Sequence, residues 1–256
     1  MRENVVVITG ASAGIGAALA ELLAKQGMSL VLVARRKDAL ESIAARCAGR
    51  AHAIVADVAQ RAEVRRVVDG AIARFGRIDV LVNNVGQGIS RLPSQLTDED
   101  VDEVMRLNVK SALYGMQAVV PHFQQRGSGH LINVSSFLGR VPLVPIRSAY
   151  NAAKAALNAL TANLRVDLKA EHPGIHVSLV MPGVVTTDFA RNALGSSSGS
   201  SYRPPASAAQ PQTPEEAAAV IARLIEHPQA EIFTNPAQIP IARRYYEDVA
   251  AFEEQA

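Results

Sequence analysis

Aromatic residues make up 4% of this chain, cysteine occurs once, and the two signs of charge nearly cancel at a formal net charge of +2. Each scarcity removes a class of protein. The single thiol, Cys47, cannot form an internal disulfide, so the chain is no disulfide scaffold and suits a reducing compartment. Cys47 lies in an Ala/Arg-rich helical stretch with no His nearby, the setting of a core or surface thiol rather than a nucleophile. A near-neutral chain without a clustered basic face lacks a nucleic-acid footprint. No apolar stretch approaches membrane-spanning length, and no signal-peptide-like run precedes the first glycine motif. The expectation is a cytoplasmic protein with neither nucleic acid nor membrane as partner. What is abundant is apolar residues, 48% of the chain, with many alanines, which suits helices packed closely on a sheet.

The apolar residues fall into short runs separated by helical stretches. VVVI at 5–8, MSLVLVA at 28–34, AHAIVA at 51–56, DVLV at 79–82, HLINV at 130–134, HVSLV at 176–180 and EIFT at 231–234 read as strands. Continuous β-branched runs such as the first are the mark of strands buried on both faces. Helices are expected at 61–75, from 98 toward 125, at 151–169, from 213 and at 241–254. Thr97 with Asp100, and Thr213 followed by Pro214, are helix-start signals. Strands alternating with helices predict an α/β chain: a doubly wound parallel sheet of about seven strands, helices on both faces, ligands at the strands' carboxyl ends. One domain over residues 1–256 is expected, with no metal site. Within it, residues 190–212 are rich in Gly, Ser and Pro and read as a flexible insertion, a lid carrying Phe189, Leu194 and Tyr202.

Two stretches carry chemistry. TGASAGIG at 9–16 stands between the first strand and a helical pattern with Leu19, Leu22 and Leu23. There Gly10 permits a tight turn, Gly14 lets backbone approach a pyrophosphate, and Gly16 lets helix pack close to sheet. The helix start then offers free N–H groups and a positive dipole end to phosphates. Arg35 and Arg36 close the second strand, where an acidic residue would favour NAD and an arginine accommodates a 2′-phosphate. Two solvated arginines at a helix start are the plainer alternative. The second stretch is YNAAK at 150–154. Four apart on a helix, the Tyr150 hydroxyl and Lys154 ammonium point to one spot, and an ammonium beside a phenol lowers its pKa from about 10. Taken alone, such a pair also arises by chance on any helix.

The motifs together resemble the short-chain dehydrogenase/reductase family, in its single-domain branch with a T-G-x-x-x-G-x-G turn. In order they are TGASAGIG from Thr9, D-V at Asp57 and Val58, N-N-V-G from Asn83 to Gly86, S-S-x-x-G from Ser135, Y-x-x-x-K at Tyr150 and Lys154, and P-G-x-x-x-T from Pro182. The resemblance covers about residues 5–188 and implies a Rossmann-like fold and roles for single residues. Tyr150 would be the general acid/base, Lys154 its pKa modulator and a holder of the nicotinamide ribose. Ser136 would polarise the substrate oxygen, and Asn108 would position a water linking Lys154 to solvent. Ser135 is the rival for the serine role; Ser136 is preferred because it begins S-x-x-G with Gly139. Asp57 would meet the adenine, and Val58 beside it would bind the cofactor. Asn83 and Gly86 would line the cofactor channel, and Pro182, Gly183, Val185 and Thr187 would hold the nicotinamide end. Gly10, Ser12, Gly14, Ile15 and Gly16 would form the phosphate turn.

The chain departs from the pattern at Val85, at the Ser136–Tyr150 spacing, and at Ala13, where many NADP-preferring members carry a basic residue. NADP(H) is therefore expected over NAD(H) on the strength of Arg35 and Arg36, helped by Ser12. The implied activity is an oxidoreductase acting on a small carbonyl or alcohol substrate, as a homodimer or homotetramer pairing through the Ala-rich helix. A non-catalytic dinucleotide sensor on the same fold is the alternative; its sign would be loss of Tyr150 or Lys154, and both are present. Nucleotide-sugar epimerases share Y-x-x-x-K but are longer and carry a different glycine turn.

Overall fold

The computed structural model describes residues 4–195 and 210–254. Seven parallel strands form one sheet: β1 Val5–Thr9, β2 Ser29–Ala34, β3 Ala51–Val55, β4 Val80–Asn83, β5 Gly129–Val134, β6 Ile175–Met181 and β7 Glu231–Phe233. Their order across the sheet is β3-β2-β1-β4-β5-β6-β7. The chain winds from β1 outward to β3, then returns to place β4 on the other side of β1. Between β1 and β4 the winding direction reverses, and an open α/β sheet leaves a crevice for ligands there.

The nine helices among the described residues are α1 Gly14–Lys25, α2 Lys37–Arg46, α3 Arg61–Phe75, α4 Asp98–Met105, α5 Ser111–Arg126, α6 Ser148–Lys169, α7 Pro214–Glu226, α8 Gln238–Glu247 and α9 Val249–Glu253. Alternate strand residues point to opposite faces, and each face is covered. Val6, Ile8 and Leu32 pack with Leu19 and Leu23 of α1, Leu40 of α2 and Ile221 of α7. Val7, Val31 and Leu81 pack with Val67 of α3, Phe123 of α5 and Leu157 of α6. This two-sided burial is what the unbroken apolar strand runs encode. Among the described residues no helix is long and apolar enough to cross a membrane.

Two expected helices are divided. The stretch from 98 toward 125 is α4 and α5 joined by a wider π-type turn, Arg106–Lys110, with Asn108 at its centre. The capping box at its start forms as expected, with Asp100 N–H donating to Thr97 Oγ1. The tail at 241–254 is α8 and α9. Asp248 is extended between them and accepts from Ala251 N–H, so one residue ends the first helix and caps the second.

Candidate active site

The glycine turn after β1 is made almost wholly of backbone. Gly10 and Gly14 have φ of +68° and +56°, in the left-handed region that side chains resist. A Cβ on Gly16 would fall 2.5 Å from the Gly10 carbonyl oxygen, so only glycine allows helix and turn to approach this closely. Asn84 fastens the turn from β4: its N–H donates to Thr9 Oγ1 at 2.9 Å and its side-chain amide to the Thr9 carbonyl at 3.1 Å. The N-cap of α1 is Ala13, which offers no side-chain acceptor, and the first turn holds no acidic residue. The free N–H groups and positive end of α1 thus stand open, which fits a pyrophosphate. Ile15 packs against the core beneath.

Around this turn the other expected cofactor residues take distinct positions. Arg36 reaches back to Ser12, its Nη2 donating to Oγ at 3.2 Å; Arg35 is exposed beside it. Asp57 follows β3, accepts from Ala59 N–H and lies 3.7 Å from Arg106 of the π turn; Val58 is buried. The Asn83 amide was expected in the channel. It turns into the fold, donating to Asn133 Oδ1 at 2.9 Å and to the Ala112 carbonyl, and Gly115 of α5 leaves it room. The side chain that meets the glycine turn is the next one, Asn84. The doubled N-N in the motif was the available signal, since alternate residues at a strand end face opposite ways.

Past β6, the Pro182 carbonyl accepts from Phe137 N–H, and Gly183 lies against Gln238. Val185 bridges to Gln212, whose N–H donates to Val184 and whose carbonyl accepts from Thr186. The Gln212 side chain bonds Thr234 in both directions, so the strand-end loop is held firmly to β7. The Thr187 methyl lies 3.2 Å from where a Gly14 Cβ would be, so this loop meets the glycine turn. The expected lid, 190–212, has described ends: Leu194 exchanges backbone bonds with Gly88 and Ser90, and Phe189 lies against Tyr150, ring centroids 5.4 Å apart. Residues 196–209, with Tyr202, lie outside the described residues.

The second cluster sits at the end of β5 and the first turns of α6. Tyr150 and Lys154 are buried, and Lys154 Nζ lies 5.6 Å from the Tyr150 ring centroid. Lys154 Nζ donates to the Val134 carbonyl at 3.0 Å. Ser136 is buried beside the Tyr150 hydroxyl and holds its pKa down, while its own Oγ accepts from Leu138 N–H at 3.2 Å. Ser135 instead turns onto α6, donating to Asn158 Oδ1 at 2.5 Å. Gly86 faces both remaining groups: a Cβ there would lie 3.1 Å from Asn108 Oδ1 and 3.4 Å from Lys154 Nζ. Asn108 is fully buried and grips Gln87 on two sides, accepting from its N–H at 3.1 Å and donating to its carbonyl at 2.9 Å; its other N–H donates to Val104.

The electrostatics differ from the expectation that Lys154 lowers the Tyr150 pKa. Burial pushes the phenol up to about 12, against smaller opposite effects of the Ser136 hydrogen bond and the Arg147 charge. Burial likewise pushes Lys154 down to about 7. Desolvation disfavours both charged forms, and a lysine that is only partly protonated at neutral pH offsets the burial of a phenolate less than a permanent cation would. Helical spacing gave the contact; it could not give the dielectric. Arg147, one turn before Tyr150, is a neighbour that motif reading passed over.

The family model described as short chain dehydrogenase matches residues 4–196. The chain belongs to the short-chain dehydrogenase/reductase family of oxidoreductases. It is 37% identical over 190 residues to an uncharacterized oxidoreductase of Staphylococcus epidermidis, covering 73% of this chain and 80% of that one. Among solved structures it resembles a short chain dehydrogenase/reductase from Burkholderia phymatum in complex with NAD, with TM-score 0.85, 27% identity, and coverage of 98% of this chain and 96% of that one. It also resembles an alcohol dehydrogenase from Thermococcus sibiricus complexed with 5-hydroxy-NADP, with TM-score 0.76, 27% identity, and coverage of 90% and 95%.

Proposed function

We propose that the protein interconverts a small carbonyl compound and its secondary alcohol with a nicotinamide dinucleotide, NADP(H) in preference to NAD(H). The observation that carries this reading is the convergence of Tyr150, Ser136 and Lys154, buried together at the edge of a crevice whose other side is the open glycine turn. Relatives of the same fold hold NAD or an NADP derivative, so the preference rests on Arg35 and Arg36. An arginine there binds a 2′-phosphate with forked, charge-assisted bonds.

The bound dinucleotide would give or take the hydride. The chain's own groups handle the oxygen and its proton. With its pKa at about 12 the Tyr150 hydroxyl is protonated at neutral pH, the state a proton donor to a carbonyl oxygen needs. Ser136 donates to the same oxygen and stabilises the charge that develops on it. In the alcohol direction Tyr150 takes the proton back. Lys154 at about 7 titrates near neutrality; its protonation favours the phenolate, so the two groups act as a coupled pair. Asn108 fixes Gln87 and so the wall of the crevice above Lys154.

Around this chemistry we further propose a single cytoplasmic domain that works as a homodimer or homotetramer, since Ala152, Ala155 and Ala159 leave an exposed strip of small residues along α6. The deciding experiment is a screen of carbonyls with NADPH and NADH and of alcohols with NADP and NAD, followed at the nicotinamide absorbance. Turnover of at least one carbonyl–alcohol pair, faster with the phosphorylated cofactor, is expected. Equal efficiency with both cofactors overturns the preference, and cofactor binding without any turnover overturns the activity.

A further inference from the structure

Arg147 is placed where its charge should be a liability. It is the N-cap residue of the 22-residue helix α6, and a cation opposes the positive end of a helix. Its guanidinium is half-buried. Its one hydrogen bond is Nη1 to the Ile89 carbonyl at 2.9 Å, and among the described residues no carboxylate pairs with it. Arg91, joined to Arg147 by a backbone bridge, shows the ordinary arrangement, with Asp100 at 2.9 Å. Burial accordingly depresses the Arg147 pKa from its usual value.

The position of this charge is specific. Arg147 and Tyr150, three apart at the start of α6, share a face, and the guanidinium charge acts directly on the Tyr150 hydroxyl. Gly88 marks the common ground: a Cβ there would lie 3.2 Å from Arg147 Nη1 and 3.0 Å from Phe189 Cε1. Phe189 in turn packs against Tyr150, ring centroids 5.4 Å apart and planes tilted by 58°. A guanidinium with unused donors, an aromatic face and an absent side chain therefore surround the approach to the phenol.

We propose that Arg147 is a specificity residue that anchors an anionic group of the substrate, so that the preferred substrates are oxo acids and hydroxy acids whose carboxylate lies a few bonds from the reacting carbon. This rests on the reading of Tyr150 as the acid/base that meets the reacting oxygen. A carboxylate docked at Arg147 supplies the missing counter-charge, accepts the forked donors and faces the favourable end of the α6 dipole. Phe189 excludes water from the pair. The carbonyl end of the same molecule is then directed toward Tyr150 and Ser136.

The test uses pairs of probes, pyruvate, acetoacetate and levulinate, each against its methyl ester, with the protein loaded with NADPH. Binding is followed by ligand-observed NMR, and turnover by nicotinamide absorbance. Wild type is expected to bind at least one acid tenfold or more tightly than its ester. Arg147→Gln, which keeps a donor for the Ile89 carbonyl, should bring that ratio close to one while ester binding stays unchanged. Arg147→Lys should keep part of it. Acid and ester binding alike, no acid binding at tens of millimolar, or a ratio that survives in Arg147→Gln would each overturn the assignment. Acid-selective binding that depends on Arg147 but leads to no turnover would uphold the anchor and sink the proposed oxidoreduction instead.

Discussion

The glycine turn after β1 and the Tyr150–Lys154 turn of α6 share one edge of the sheet, yet the first is a site of backbone and the second a site of buried side chains. At the first, positive φ angles, the Gly16 contact and an uncapped helix end do the work. None of these depends strongly on what surrounds them. At the second, two ionisable groups are taken out of water, and their protonation states follow from the packing of β5, α6 and the loop around Gly86. The lesson is that a dinucleotide turn is a local conformation, whereas a catalytic acid is a property of its environment.

Four experiments would break or sharpen that contrast. The largest effect is expected from Tyr150→Phe, which removes one hydroxyl from a packed ring. On the proposed reading the variant lacks its proton donor, and kcat should fall by about 10²–10⁴-fold, while cofactor affinity, assigned on that reading to the other half, stays within about twofold. Steady-state rates and a fluorescence titration with NADPH check the two halves separately; comparable losses in both would show them to be coupled.

Next comes Gly16→Ala. The added methyl meets the Gly10 carbonyl at 2.5 Å and Asn84 Nδ2 at 2.7 Å, so backbone must move, at a cost of about 1–3 kcal/mol. A lower Tm with weakened cofactor binding is expected. Gly70→Ala in α3 is the control: its methyl would meet only Ile54 Cδ1, at 3.4 Å. There the helix should gain about 0.5–1 kcal/mol.

The third experiment asks whether burial alone sets a side chain's charge, at the opposite end of β5. His130 is buried, its Nε2 2.8 Å from Ser178 Oγ, and its pKa is pushed down to about 3, first by burial and then by His176. The Ser178 hydroxyl is itself donated to the Gln229 carbonyl, so the ring nitrogen is the donor. Because the folded pKa lies below the ordinary value near 6.5, the unfolded chain takes up the proton first as pH falls. Stability is therefore whole above about 6.5 and declines from there toward 3. Denaturant titrations from pH 7 to 4 should show this slope, and His130→Gln should flatten it.

The smallest effect belongs to the backbone half. Arg36→Ala, which frees Ser12, should reduce the ratio of NADPH to NADH efficiency by about tenfold, or about 1.4 kcal/mol. Arg35→Ala should do so less, since Arg35 makes no comparable contact with the turn. An unchanged ratio in the double variant would remove the basis for the cofactor preference.

The alternating strands and helices, the two-sided burial and the residues of both turns were legible in the amino-acid order, because each depends on neighbours a few positions away. Unbroken runs such as VVVI can be buried only on both faces; Gly10 and Gly14 are tolerant of positive φ wherever they sit; Tyr150 and Lys154 meet because a helix brings every fourth residue round. What lies beyond such spacing was decided by the tertiary structure. Asn83 and Asn84 are chemically alike, and only packing against α5 and the glycine turn separated their tasks. Asn108 stands in a widened turn held by contacts with Gln87, far from it in sequence. Lys154 holds its charge less firmly than its spacing seemed to promise because water was excluded from both partners, and Arg147 gained importance because, among the described residues, no carboxylate was folded against it. Sequence fixes which groups a local conformation can present; the free energy of their charges is set by how much water the whole fold leaves beside them.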